Sequence, residues 1–265
     1  MKNLRVAACC MNSVVGDISG NSEKMCAIIR KASDSDLILF PELCLTGYAM
    51  PRSMHFCLDE DSYEISKILD CSSENGIIIC FGYADREHHI RQVVAENGCI
   101  VGRYDKTHLG EREINSVIPG NTLEPICTSK VRLGIQICWE SHFPEITGTY
   151  ALKGADIILM PHASGLTGTR RKTTWDRIMP ARAYDNTVFT ISCNATGDNG
   201  LGTCFGGGSC ILDPRGRILA EDYSGSSIIF ADLDGTEMES IRSHKKESMS
   251  NLYFLDKRRP EIYFR

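Results

Sequence analysis

Three residues able to do covalent chemistry each stand where an apolar run stops. Cys138 ends Arg132-Leu-Gly-Ile-Gln-Ile-Cys and is followed at once by Trp139-Glu-Ser-His-Phe-Pro-Glu145. Glu42 follows Leu37-Ile-Leu-Phe-Pro41, and Lys106 follows the strand-like run Cys99-Ile-Val-Gly-Arg-Tyr104 and Asp105. A thiol can attack a carbonyl carbon, and a carboxylate can take the thiol proton and pass it to a leaving nitrogen. An ammonium, helped by the backbone N–H of Trp139, can stabilise the oxyanion between those steps. A cysteine at a strand-to-helix junction faces free backbone N–H groups and the positive helix end, a setting expected to lower its pKa. Alone, each residue has an ordinary reading: cysteines often serve as small core hydrophobes, and Glu or Lys after a strand often sits in a solvated loop. Together they occupy the carboxyl edge of strands, where open α/β sheets build sites.

The elements that must position them can be read from the apolar periodicity. Strands are expected at Arg5 to Cys10, Leu37 to Phe40, Ile77 to Phe81, Ile90 to Ala95, Cys99 to Tyr104, Val131 to Ile137, Asp156 to Met160, Thr187 to Ser192, Ser209 to Leu212 and Ser227 to Leu233. Many are rich in Ile and Val, as buried strands should be. Asn97-Gly98 marks a hairpin and Asp213-Pro-Arg-Gly216 a turn. Helical pattern covers Asn21 to Ala32, Ser62 to Asn75, Pro144 to Lys153, Thr173 to Asp185 and Thr236 to His244. Pro180 should kink or restart the fourth helix. With hairpins beside βα units, no linker and no repeat, the expectation is a single α/β domain over residues 1–265 with mixed sheets.

The Phe40-Pro-Glu42 motif with Gly47-Tyr48, the Tyr104-Asp-Lys-Thr-His-Leu109 motif and the Cys138-Trp-Glu-Ser-His-Phe-Pro-Glu145 motif resemble the three signature segments of the nitrilase superfamily of carbon–nitrogen hydrolases. The likeness continues through Gly154-Ala-Asp-Ile-Ile-Leu-Met-Pro161, Pro180-Ala-Arg-Ala-Tyr-Asp-Asn186 and Gly208-Ser-Cys-Ile-Leu-Asp-Pro-Arg-Gly-Arg217, covering Val6 to about Leu233. It implies a four-layer αββα sandwich, two mixed sheets packed face to face with helices outside, and homodimers joined through the helix after Cys138. It implies Glu42 as general base, Lys106 as oxyanion stabiliser and Cys138 as nucleophile. A further structural glutamate of the family, six residues before a Pro-Gly, corresponds to Glu113 before Pro119-Gly120, in preference to Glu111. The implied reaction is thiol-dependent hydrolysis of a small amide or N-carbamoyl amide through a thioester, releasing ammonia or an amine. Cys138-Trp-Glu140 is closer to nitrilases than to the Cys-Tyr-Asp of amidases, so nitrile hydrolysis is the alternative, although the chain is short for a nitrilase and lacks their C-terminal extension. A non-catalytic member is disfavoured because all three positions are intact.

Tyr48, Trp139, His142 and His162 are the candidate substrate-binding residues. Where related amidases and carbamoylases carry arginine, this chain has His142, mostly neutral above a pKa of about 6.5. That points to neutral or amine-bearing substrates, with Arg112, Arg170 or Arg171 as the other side chains able to anchor a carboxylate.

Composition narrows the classes further. A net charge of −5 with only short cationic clusters argues against nucleic acid as a partner. The thirteen cysteines are odd in number and lack C-x-x-C spacing, which fits reduced core thiols better than a disulfide framework or a zinc site. No metal or other cofactor is expected. No signal-peptide core or membrane-length run stands out, so a cytoplasmic protein is expected. The apolar tail over about residues 245–265 should pack on the domain or a partner subunit.

Overall fold

Alternation along the N-terminal strands decides the layering. In β1 (Leu4–Cys9), β2 (Leu37–Leu39) and β3 (Ile78–Ala84), the residues Val6, Ala8, Leu37, Leu39, Ile78 and Cys80 face one core. Their neighbours Ala7, Cys9, Ile38, Ile79 and Phe81 face another, against Met25, Ile29, Ile65 and Ile68 of helices α1 (Ile18–Lys31) and α2 (Tyr63–Asn75). With apolar residues on both faces, this sheet has to be covered twice, by helices on one side and by a second sheet on the other.

The computed structural model describes residues 1–243 and 253–263. β4 (Ile90–Glu96), β5 (Cys99–Asp105) and β14 (Ile228–Leu233) complete a first sheet of order β14-β1-β2-β3-β4-β5. β1, β2 and β3 are parallel, and the flanking pairs are antiparallel. The second sheet comprises β6 (Ile126–Cys127), β7 (Arg132–Ile135), β8 (Ile157–His162), β9 (Phe189–Asn194), β12 (Ser209–Leu212) and β13 (Ile218–Asp222), in the order β13-β12-β9-β8-β7-β6. Its centre, β7-β8-β9, is again parallel. Leu133, Ile135, Ile157, Leu159 and Ile191 join the core shared by the two sheets. α3 (Pro144–Leu152) and α4 (Gly168–Asn186) cover the outer face, where a side chain at Gly134 would meet the Tyr150 ring at 2.7 Å. The expected αββα sandwich is the observed one.

Several details differ from expectation. β6, β13 and the small ribbon of β10 (Thr196–Asp198) with β11 (Cys204–Gly206) carry too few or too mixed residues to announce themselves. α4 starts at Gly168 and runs unbroken through Pro180. Proline removes one backbone hydrogen bond there, and burial of Trp175, Met179 and Ala183 on either side holds the helix together. The Asn97-Gly98 hairpin forms as expected, with the positive φ angles of 51° and 79° that such a turn demands. α5 (Gly235–Arg242) ends before His244, which lies outside the described residues. In the described part of the tail, Leu255 is buried and Phe254 lies 5.6 Å from the Tyr184 ring. The rest of residues 245–265 is outside the described range.

Candidate active site

Two parallel strands in different sheets and one hairpin strand deliver the three reactive side chains to one place. β7 ends at Ile135, and Gln136 N continues the ladder by donating to Leu159 O at 2.9 Å. The backbone then breaks at Cys138, whose φ of +49° is unusual for a side-chain-bearing residue. Such a conformation costs on the order of 1–3 kcal/mol and persists only where the surroundings enforce it. The enforcement is visible. Ile137 N donates to Glu140 Oε2 at 2.6 Å, Gln136 Nε2 donates to Phe143 O at 3.0 Å, and Thr147 Oγ1 donates to Gln136 Oε1 at 2.7 Å. Cys138–His142 form one short 3₁₀ turn whose first bond runs from Glu140 N to Ile137 O, so the N–H groups of Cys138 and Trp139 precede the turn's own bonds.

Glu42 follows β2 in a tight turn that Gly47 closes, Gly47 N donating to Leu43 O at 2.7 Å. Gly47 has a φ of +78°, and a Cβ there would meet Val15 Cα at 2.6 Å, so glycine is required. Lys106 is the first residue beyond β5, fixed by Lys106 N donating to Ile90 O at 3.0 Å. Its ammonium is buried and donates to Glu42 Oε1 at 2.7 Å and to Glu113 Oε1 at 2.8 Å. Ala163 N donates to the other Glu42 oxygen at 2.9 Å, and Cys138 lies beside the same carboxylate. Tyr48 Oη donates to Glu113 Oε1 at 2.9 Å, and Gly110 N to Glu113 Oε2 at 2.7 Å. Glu113 is therefore the buried partner of Lys106, whereas Glu111 is exposed.

Burial pushes the Glu42 carboxyl up to about 7, against the pull of Lys106 and with a further push from Glu113. Burial disfavours the Lys106 ammonium, but Glu42, Cys138 and Glu113 outweigh it and hold its pKa above the ordinary lysine value. Cys138 is half-buried and opens onto a cavity, yet enough protein surrounds it that burial, then the charge of Glu42, pushes its thiol up to about 12. This corrects the expectation of a lowered thiol pKa. The turn after Cys138 is too short to act as a helix end, and desolvation with an adjacent carboxylate overrides it. The arrangement therefore holds a neutral thiol next to a carboxylate able to deprotonate it during attack.

The cavity is about 480 Å³ and is lined by Tyr48, Lys106, Arg112, Glu113, Cys138, Trp139, Ser164 and Phe205, among others. Tyr48 and Trp139 are thus part of the cavity wall. His142 does not line the cavity: it is exposed, with its ring 5.3 Å from that of Trp139. Partial desolvation of its ring, then the charges of Arg182 and Arg171, lower its pKa from the ordinary histidine value. His162 is buried behind the site, its Nδ1 2.8 Å from Met160 O and its ring 4.9 Å from Trp175. It lies on the covered face of β8, so the expectation that it lines the pocket is corrected.

Sequence reasoning passed over Glu140. It is fully buried, and Oε1 accepts from Tyr104 Oη at 2.7 Å, Thr107 N at 2.8 Å, Thr107 Oγ1 at 2.7 Å and His108 N at 3.1 Å. Burial opposes its charge, but the surrounding donors outweigh burial and hold its pKa below the usual carboxylate value. The signal available was its place two residues after Cys138, at the position that closes a turn. Among the described residues, Asp85, Glu87 and His89 bring donor atoms within 4.8 Å of one another. Arg91 already sits among them, pairing with Asp85 at 2.8 Å and Glu87 at 3.8 Å as well as with Asp105 at 2.7 Å.

The sequence profile of the carbon–nitrogen hydrolase family matches residues 5–243. This chain is a member of the carbon–nitrogen hydrolase family. It is an enzyme of the class that hydrolyses non-peptide C–N bonds. The hydrolase is similar to a nitrilase of Pyrococcus abyssi, 28% identical over 99% of this chain and 100% of that one. It is also similar to an omega-amidase of Mus musculus, 22% identical over 91% and 94% of the two chains. Among solved structures, a variant of an amidase from Nesterenkonia sp. AN1 in complex with acrylamide superposes with a TM-score of 0.81 at 22% identity, covering 98% of the hydrolase and 96% of that chain. Among its described residues, no helix is long and apolar enough to cross a membrane.

Proposed function

We propose that the hydrolase cleaves a small carboxamide, with Cys138 as nucleophile, Glu42 as the group that shuttles protons and Lys106 as the oxyanion donor. The observation that carries this reading is the buried contact of Lys106 with Glu42 at 2.7 Å beside Cys138, at the wall of a cavity of about 480 Å³. Glu42 takes the thiol proton as sulfur attacks the carbonyl carbon. Lys106 has three N–H donors and spends two on Glu42 and Glu113, which leaves the third for the developing oxyanion, beside the N–H of Trp139. Collapse breaks the C–N bond, Glu42 returns the proton to nitrogen, and ammonia or an amine departs. Glu42 then deprotonates water, which adds to the thioester. The second tetrahedral species collapses with cleavage of the C–S bond, Glu42 returns the water proton to the Cys138 sulfur, and the carboxylic acid departs. Glu113 positions Lys106, and Tyr48 positions Glu113.

A nitrile is the second reading, favoured by Cys138-Trp-Glu140 and by the relative named a nitrilase. Incubation with a panel of amides, N-carbamoyl compounds and nitriles, reading ammonia, tests both. Turnover of amides supports the first reading, and turnover of nitriles alone replaces it with the second. Ammonia from none of them, or full activity in Cys138→Ala, overturns the assignment. The free thiols of all thirteen cysteines support a reducing, cytoplasmic setting. Exposed Leu152 and Tyr184 on α3 and α4 support a homodimer through that face.

A further inference from the structure

The charged groups of the cavity divide into those with partners and one without. Lys106 is committed to Glu42 and Glu113, and Glu113 is also held by Tyr48 and Gly110 N. Arg112 lines the same cavity and is exposed, with no carboxylate or hydrogen-bond partner among the described residues. Its backbone place is fixed without its side chain. Glu113 N donates to Gly110 O at 2.8 Å and Gly110 N donates to Glu113 Oε2, so Arg112 is the third residue of a turn closed twice by Glu113. A second cation stands behind the wall: Arg171, 3% exposed, donates to Ser164 O at 3.3 Å and has no carboxylate partner among the described residues. Its Nε finds no acceptor. A buried guanidinium without a counter-ion is costly, and in a low-dielectric wall its field reaches into the cavity that Ser164 lines.

Resting on the catalytic reading above, we propose that Arg112 is the specificity residue for an anionic substrate: an amide whose acyl part ends in a carboxylate. A guanidinium fork matches a carboxylate bidentately. The carboxylate would approach from the Arg112 side while its amide carbonyl reaches Cys138, and the field of Arg171 offsets repulsion from Glu42 and Glu113. This reverses the expectation drawn from His142, which stands outside the cavity. Monoamides of short dicarboxylic acids have the carboxylate on the acyl side as required, whereas N-carbamoyl amino acids carry theirs across the scissile nitrogen and serve as the comparison that tells the two placements apart.

The test compares kcat/KM for such a monoamide, an N-carbamoyl amino acid, the neutral amide of equal length and an ω-amino amide. The wild type should favour the monoamide over the neutral amide, and its rank against the N-carbamoyl amino acid tells the two placements apart. Arg112→Met should lower the carboxylate-to-neutral ratio roughly 10- to 100-fold through KM, the size expected for a lost charged hydrogen bond. Arg112→Lys should recover part of the ratio, and Arg112→Glu should move preference toward the amine. Dissociation constants of the monoamide for Cys138→Ala and for Cys138→Ala with Arg112→Met read the anchor without turnover. Equal affinity in those two proteins, or a wild type that favours neutral or amine-bearing amides, overturns the proposal. Absence of turnover on every amide with a clear affinity difference would instead overturn the catalytic reading and leave the anchor standing.

Discussion

Thr107 N donates to Glu140 Oε1 at 2.8 Å, and through that bond the segment carrying Lys106 is tied to the turn carrying Cys138. The other Glu140 oxygen accepts from Ile137 N at 2.6 Å, one residue before the strained cysteine. One buried carboxylate thus sets the distance between oxyanion donor and nucleophile from both sides, although it touches neither reacting atom.

Glu140→Gln should therefore damage catalysis. An amide keeps the shape but offers one acceptor atom where two are needed, so one of the two tethers is lost. A misplacement on the order of 1 Å is enough for a loss of about 10²-fold in kcat. Glu140→Ala should additionally leave buried donors unsatisfied and cost about 1–3 kcal/mol of stability. Steady-state kinetics and thermal melts of both variants check this, and a folded Glu140→Gln enzyme with wild-type kcat would contradict the tether.

The acid limb of the pH profile should be displaced. Glu42 must be ionised to accept the thiol proton, and burial raises its pKa to about 7. kcat/KM should rise with pH to a plateau, with its midpoint about 7, and stay flat into the alkaline range because the thiol is held near 12 and Lys106 is raised as well. A profile whose midpoint lies at the ordinary glutamate value of about 4.3 would remove Glu42 as the titrating base.

Thiol labelling should separate reactivity from exposure. Cys99, Cys127 and Cys204 are exposed and should react with iodoacetamide at the pace of ordinary thiols, with activity retained. Cys138 should be alkylated with loss of activity, and Glu42→Gln should slow that reaction without changing the other three. Peptide mass mapping reads all four sites. Loss of activity that follows Cys204 in place of Cys138 would count against the assignment.

Much of this architecture was legible in the sequence because it is written in alternation. Residues such as Val6 and Ala8 against Ala7 and Cys9 declare a sheet covered on both faces. Abrupt strand ends at Pro41, Asp105 and Ile137 placed Glu42, Lys106 and Cys138 at strand carboxyl ends, and the face-to-face packing of two sheets, which no local pattern shows, brings those ends together. The electrostatics could not be read in the same way. Whether Cys138 is acidified depends on burial and on which charge lies beside it, both long-range outcomes of packing. His162 looked like a pocket residue because it ends a strand, but the side of the strand it occupies is set by the register of β8 between β7 and β9. Arg112 was one of several arginines until the Gly110–Glu113 turn placed it in the cavity wall.

The acyl-enzyme is the most direct test of the central claim. The enzyme is mixed with an amide it turns over and quenched in acid within a turnover, and intact and peptide masses are then measured. The expected result is an added acyl mass on the peptide carrying Cys138 in the wild type, absent in Cys138→Ala and strongly reduced in Glu42→Gln. An acyl group on any other residue, or undiminished ammonia release by Cys138→Ala with no adduct at all, would contradict it.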